Sequence, residues 1–248
     1  MTNLYSHISQ SAQAGKKMLA FLMDPDHYMG EKLTKAIALI HQCSPDIILI
    51  GGSLTQTHTD PLITELKKKI SQPVVLYPGS LIQLSPSADA ILLISLLSGR
   101  NPDYLIGNHV IAAPFIKQSG LEVIPTGYLL IDGGQTTSVE YMSQTRPIPA
   151  NKPDIAVATA LAGEQLGMKL IYLEAGSGAK NPVAIETIKQ VKKALTIPLI
   201  VGGGLNTTQK IKDACDAGAD LIVIGNALEK DPMLLSEFTQ AIRNFNQL

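Results

Sequence analysis

The chain has no tryptophan, and aromatic residues make up only 4% of its 248 positions, so no indole is available to line or stop a pocket. It has two cysteines, Cys43 and Cys215, far apart and without a CxxC or Cys/His spacing. That excludes a disulfide framework and a zinc site, and predicts two reduced core or helix-face residues of a cytoplasmic protein. There is no Lys/Arg-rich block, and the formal net charge is −1, which argues against a nucleic-acid surface. Met1–Gln10 shows no basic stretch followed by an apolar one, so no signal peptide is expected. The greasiest segment, Ile91–Leu97, is far short of the roughly 20 residues a membrane span needs. Neither a complete GxGxxG nor a GxxxxGK[ST] occurs, which removes the dinucleotide fingerprint and nucleotide triphosphate chemistry.

What is present is an apolar fraction of 45%, ample for a closed core. Strand-length apolar runs alternate with helix-like stretches along nearly the whole sequence. The predicted strands are Met18–Met23, Asp46–Ile50, Val74–Tyr77, Ala90–Ile94, Glu122–Ile124 continuing to Ile131, Lys169–Leu173, Ile197–Val201 and Leu221–Ile224. Most are continuous runs without period-2 alternation, as expected of strands covered on both faces in a parallel sheet. Helices are predicted over Glu31–Gln42, Asp154–Leu166, Pro182–Leu195 (with Pro182 in its first turn), Thr207–Ala217 and Leu234–Phe245. Gly79–Asp89 is short, carries Pro86 and is expected to lack a regular helix. The fold expected is a single-domain (β/α)8 TIM barrel over residues 1–248, with no helix after its third strand. The polar insertion between Asp132 and Pro153 has no assignable chemistry and is expected to cover the mouth or form a subunit contact.

Three glycine-bearing strand ends follow one another in the last third: Tyr172-Leu173-Glu174-Ala175-Gly176-Ser177-Gly178, then Val201-Gly-Gly203-Gly204, then Ile224-Gly225-Asn226. Glycines past a parallel strand let main-chain N–H groups approach a ligand, and a following helix N-terminus favours negative charge. Single turns of this kind merely join strand to helix, but three in succession make a cup for one phosphate. Met23-Asp24-Pro25-Asp26-His27 ends the first strand. Asp24 there is a candidate Mg²⁺ ligand, because Mg²⁺ takes one or two carboxylates plus substrate oxygens; the bland alternative is a turn cap. Ser53, in Gly51-Gly52-Ser53-Leu54, offers a hydroxyl to the same cation. His27 has no partner histidine at ligand spacing and reads as a loop residue. Glu174 sits within the cup, where a carboxylate repels an anion, so it is expected to bind hydroxyls or accept a proton; an ion pair with Lys169 or Lys180 is the alternative.

These motifs resemble those of the geranylgeranylglyceryl phosphate synthase family, with its bacterial heptaprenylglyceryl relative, from about Lys17 onward. The marks are Asp24-Pro25-Asp26, Gly52-Ser53, the specific stretch Tyr172–Ala179, Gly202–Gly204 and Gly225-Asn226. The resemblance implies a prenyltransferase that joins sn-glycerol 1-phosphate to a polyprenyl diphosphate. It implies Mg²⁺ on Asp24 and Ser53, and glycerol phosphate on Tyr172 through Gly178, Gly203, Gly204, Gly225 and Asn226, with Glu174 on the glycerol hydroxyls. A prenyl chain stopped by an indole in some relatives has no such stop here, and Tyr104 is expected to pack in the core, with lining or supporting the trough as the alternative. The reading competes with a metal-independent phosphosugar isomerase or synthase of the tryptophan- or histidine-pathway barrel type, and with a non-catalytic phosphate-binding barrel. A homo-oligomer with transient membrane contact is expected.

Overall fold

The structure is a computed structural model that describes residues 3–247. Eight parallel strands close into a barrel in sequence order: β1 (Met18–Met23), β2 (Ile47–Ile50), β3 (Val74–Leu76), β4 (Ala90–Leu96), β5 (Glu122–Leu130), β6 (Leu170–Glu174), β7 (Leu199–Gly202) and β8 (Leu221–Ile224). Closure is made by β1, which pairs Ala20 with Ile47 on one side and Met18 with Leu221 on the other. The helices are α1 (Leu4–Gln13), α2 (Gly30–Cys43), α3 (Thr59–Lys67), α4 (Asn108–Ser119), α5 (Ser138–Ser143), α6 (Pro153–Gln165), α7 (Ile185–Ala194), α8 (Thr208–Asp216), α9 (Asn226–Lys230) and α10 (Leu234–Phe245).

Both strand faces are buried, which is why the strands read as unbroken apolar runs. Ala20, Leu49, Val75, Leu92, Tyr128, Leu170, Tyr172, Ile200 and Val223 fill the barrel interior. Their alternating neighbours, such as Phe21, Ile48, Ile171, Val201 and Ile222, pack against the helices. Helix α1 plugs the N-terminal end with Leu4 and Ile8; its Leu4 and Tyr5 amides donate to the Glu122 carboxylate at 2.6 and 2.8 Å. Cys43 and Cys215 are buried free thiols. No described helix is long and apolar enough to cross a membrane.

A repeated latch pins the N-terminal end. Asp46, Asp89 and Asp220 each precede a strand and each accept a hydrogen bond, at 2.8 Å, from an amide of the strand before: Leu19, Val74 and Leu199. Asp220 also holds Lys192, and Lys17 lies 3.8 Å away. Removing one member of a buried charged set leaves the others uncompensated. Asp220→Ala is therefore expected to cost about 3 kcal/mol, read as a lower urea midpoint at unchanged slope.

Two differences from the sequence reading bear on the site. Pro182 is not in the first turn of a helix, because α7 begins at Ile185. The Asn181 amide is tied to the Gly133 carbonyl at 3.0 Å and Val183 is drawn into the outer core, so this stretch stays extended. Between β3 and β4 there is a single 3₁₀ turn, Leu81–Gln83. The buried Gln83 amide group replaces a helix as the local brace: its oxygen accepts from Gly79 at 2.9 Å and its nitrogen donates to the Gly52 carbonyl at 2.7 Å. The missing helix leaves the outward residues Ile91 and Leu93 of β4 facing a hollow.

Candidate active site

At the C-terminal mouth, three strand ends build one wall. Glu174, the last residue of β6, points inward and is 6% exposed. Its Oε1 accepts the Gly176 amide at 2.7 Å. Gly203 has φ +81° and a Cβ there would overlap Glu174 Oε1; glycine is what lets β7 turn this close to the carboxylate. The amides of Ser177, Gly178, Gly203, Gly204 and Asn226 make no hydrogen bond among the described residues, and all five residues line the same mouth. Ser177 Oγ meets Asn226 Oδ1 at 2.7 Å, joining the β6 and β8 ends.

Beneath Glu174 lie three tyrosines. Tyr172 stacks obliquely on Tyr77 and Tyr128, with ring centroids 5.6 and 5.4 Å apart. The Tyr172 hydroxyl is buried beside Glu174 without a hydrogen-bond partner among the described residues. Burial raises the Glu174 carboxyl above its usual range, with the Tyr172 hydroxyl and the Gly176 N–H opposing the rise. Burial likewise raises the Tyr172 phenol, and the Glu174 charge adds to it. Glu174 is thus poised as a proton acceptor stronger than a solvated carboxylate.

Beside the β8 end of this wall, the end of β1 carries Asp24. Its Oδ1 accepts the Asp26 amide at 2.9 Å, while Oδ2 abuts Gly52, where any side chain would overlap it. Burial raises the Asp24 carboxyl, opposed by the Asp26 N–H. Asp26 also lines the mouth, but its carboxylate is engaged: it accepts from Gln56 and Thr57 amides at 2.8 and 2.7 Å, holding the β1 loop to the β2 loop, and the Gln56 N–H keeps its carboxyl low. His27 pairs with Glu229 at 3.1 Å. Among the described residues no three His, Cys, Asp or Glu side chains converge as a metal cage. Asp24 Oδ2, which makes no hydrogen bond among the described residues, and Ser53 line the same mouth. That set fits a hard cation completed by water and ligand phosphate, the usual manner of Mg²⁺.

A second cavity opens from the mouth. Leu81, Leu84, Ile91, Leu93, Ala112 and Ile116 give it an apolar wall. It occupies the place of the missing helix. Ser53, Tyr77, Tyr128 and Val139 border both cavities, so a polar mouth continues into an apolar trough.

The PcrB family model matches residues 13–244. The chain belongs to the PcrB family. Curated relatives named geranylgeranylglyceryl phosphate synthase include that of Spirosoma linguale, 48% identical over 94% of both chains. Another, from Flavobacterium johnsoniae, is 50% identical over 93% of this chain and 96% of the relative. The synthase of Thermococcus gammatolerans is 43% identical over 87% of this chain and 85% of its own. The solved (S)-3-O-geranylgeranylglyceryl phosphate synthase of Thermoplasma acidophilum, in complex with its substrate sn-glycerol-1-phosphate, superposes with TM-score 0.92 at 31% identity, covering 98% of this chain and 100% of that one. A tryptophan synthase alpha chain from Legionella pneumophila, at 16% identity and TM-score 0.61, shares the fold alone.

In this PcrB-family chain the residues expected in the site divide. Asp24, Ser53, Tyr172, Glu174, Ser177, Gly178, Gly203, Gly204, Gly225 and Asn226 all line the mouth. Leu173 and Ala175 do not: period-2 alternation turns both side chains outward into the helix-facing core. Gly176 lies behind the mouth against Thr137. Glu174 makes no salt bridge within 4.0 Å with a described residue, so the ion-pair alternative fails. Tyr104 does both things weighed for it: it packs against the barrel core and lines the trough, its hydroxyl 3.4 Å from the Met142 carbonyl. The Asp132–Pro153 insertion forms α5, whose Val139 reaches both cavities. Tyr77 and Tyr128 were missed; their inward register alternates with Leu76 and Leu129, a signal hidden within apolar runs. Gly203→Ala is expected to fold but to raise KM for a phosphorylated substrate about tenfold or more, because the Cβ meets Glu174 and the Gly176 amide at 2.8 Å.

Proposed function

We propose that this chain, a prenyltransferase by family, forms an ether between the 3-hydroxyl of sn-glycerol 1-phosphate and a polyprenyl diphosphate, geranylgeranyl diphosphate by analogy with its relatives, and releases pyrophosphate. The observation that carries the reading is the junction of a cup of unpaired amides with an apolar trough across Ser53, Tyr77 and Tyr128. Each substrate has one matching half-site, and their reacting ends meet beside Glu174.

The amides of Ser177, Gly178, Gly203, Gly204 and Asn226 bind the phosphate. Glu174 orients the glycerol 3-hydroxyl and takes its proton as the oxygen attacks the allylic carbon and that carbon's bond to the diphosphate oxygen breaks. The trough holds the tail and keeps water from the developing allylic cation. Asp24 and Ser53 would hold Mg²⁺, which neutralises the departing diphosphate. Proximity of the two half-sites supplies much of the rate, since reacting atoms held about 3–3.5 Å apart no longer need to find each other.

Purified protein with sn-glycerol 1-phosphate and labelled geranylgeranyl diphosphate is expected to yield a prenylglyceryl phosphate and pyrophosphate. Product formation that persists undiminished in EDTA would remove the metal from this scheme; no ether product with any prenyl diphosphate of graded length would remove the scheme itself.

A further inference from the structure

The loop between β5 and α5 does not line the cup, yet it grips the β6 turn on which two of the five free amides sit. Gly176 and Gly178, at φ +96° and +76°, flank Ser177. Two glycines in the left-handed region give this turn little intrinsic preference for one conformation. What fixes it comes from outside. Gln135 Nε2 donates to the Gly178 carbonyl at 2.5 Å, and the Asn181 amide donates to the Gly133 carbonyl at 3.0 Å. Thr137 packs its side chain on Gly176. The Gln135 loop is itself braced, since Asp132 Oδ1 accepts the Gly134 amide at 2.8 Å.

The Gly178–Ala179 peptide unit is the one held on both faces. Its carbonyl accepts from Gln135, and its N–H donates to the Gly176 carbonyl at 3.1 Å. Rotation of that unit is the low-cost motion of a glycine turn, and it would swing a carbonyl dipole toward the position the amides prepare for an anion. A carbonyl facing a phosphate is repulsive, so the direction of one peptide plane decides whether the cup attracts its ligand.

We infer that Gln135 is a positioning residue for phosphate recognition: it clamps the Gly178 carbonyl and so keeps that dipole from turning toward an anion held by the neighbouring Ser177 and Gly178 amides. Gln135 is exposed and absent from the mouth lining, so it acts through the β6 turn and touches no reacting atom. The inference rests on the proposed function only for the name of the phosphorylated substrate.

The test uses Gln135→Met, which keeps length and loses the donor, and Gln135→Lys, which keeps a donor within reach of the same carbonyl. In Gln135→Met, KM for glycerol 1-phosphate is expected to rise about tenfold, the worth of one hydrogen bond. KM for the prenyl diphosphate, kcat and the ligand-free Tm stay as in the parent, and Gln135→Lys restores most of the affinity. Inorganic phosphate serves as a probe without turnover: the Tm increase it gives the parent protein is expected to shrink in Gln135→Met. That arm decides the clamp even if no prenyl transfer is found. Equal phosphate protection in parent and Gln135→Met, or a rise in KM shared by both substrates, would overturn it.

Discussion

Glu174→Gln is expected to lower kcat by about 10²–10⁴-fold while raising the melting temperature at neutral pH. The loss follows from chemistry: the amide cannot take the proton of the attacking hydroxyl. The gain follows from the site's electrostatics. Burial pushes the Glu174 carboxyl above its ordinary 4.5, so the folded state binds this proton more tightly than the unfolded chain does. In the window between 4.5 and the raised value, stability therefore falls as pH rises, and above it the whole penalty of an ionised buried group is carried. Glutamine removes that penalty. Its oxygen still accepts the Gly176 amide. The same ionisation shapes activity in the opposite sense: kcat/KM is expected to climb with pH through the raised Glu174 value and then level off. The residual rate of Glu174→Gln is expected to be flat across that window. Wild-type turnover in the variant with glycerol phosphate saturating would take the proton-accepting role from Glu174; a lowered Tm would contradict the electrostatic account.

The strands were legible because burial on both faces writes itself as an apolar run, and β1 and β8 were read to the residue as Met18–Met23 and Leu221–Ile224. The three glycine-bearing strand ends were legible as neighbours at the mouth because they close three successive strands of one parallel barrel. Helix α1 was not legible. Only Leu4 and Ile8 anchor it, and its capture by Glu122 joins residues more than a hundred positions apart. The trough was half legible. A missing helix after β3 was expected, but the cavity that replaces it is assembled mainly from the loop after β3, β4, α4 and α5, segments with no common motif. Leu173 and Ala175 show the same limit from the other side. A contiguous motif runs through Tyr172–Gly178, whereas a strand offers only alternate side chains to any one face. Register, not motif membership, decides which of them meet a ligand.

Asp24→Asn is expected to cut kcat/KM for the prenyl diphosphate by about 10²–10³-fold and to shift Mg²⁺ activation to higher concentration. The expectation turns on which carboxylate oxygen is occupied. Oδ1 is engaged by the Asp26 amide, and asparagine can keep that bond with its own oxygen. Oδ2, against Gly52, is the one left for a cation, and asparagine places an NH₂ there that cannot ligate. The variant should therefore fold with the loop intact and fail specifically in metal response. Gly52→Ala approaches the same point from the other side. Its Cβ would overlap Oδ2 without altering the charge, so it should raise the Mg²⁺ midpoint while leaving a carboxylate in place. In the proposed scheme phosphate sits on the β6, β7 and β8 ends and not on Asp24, so phosphate protection against heat should survive both changes. A Mg²⁺ titration of Asp24→Asn that overlays the parent's would show that the cation, if one is needed, is held elsewhere; loss of phosphate protection would show instead that the phosphate and cation sites are not independent.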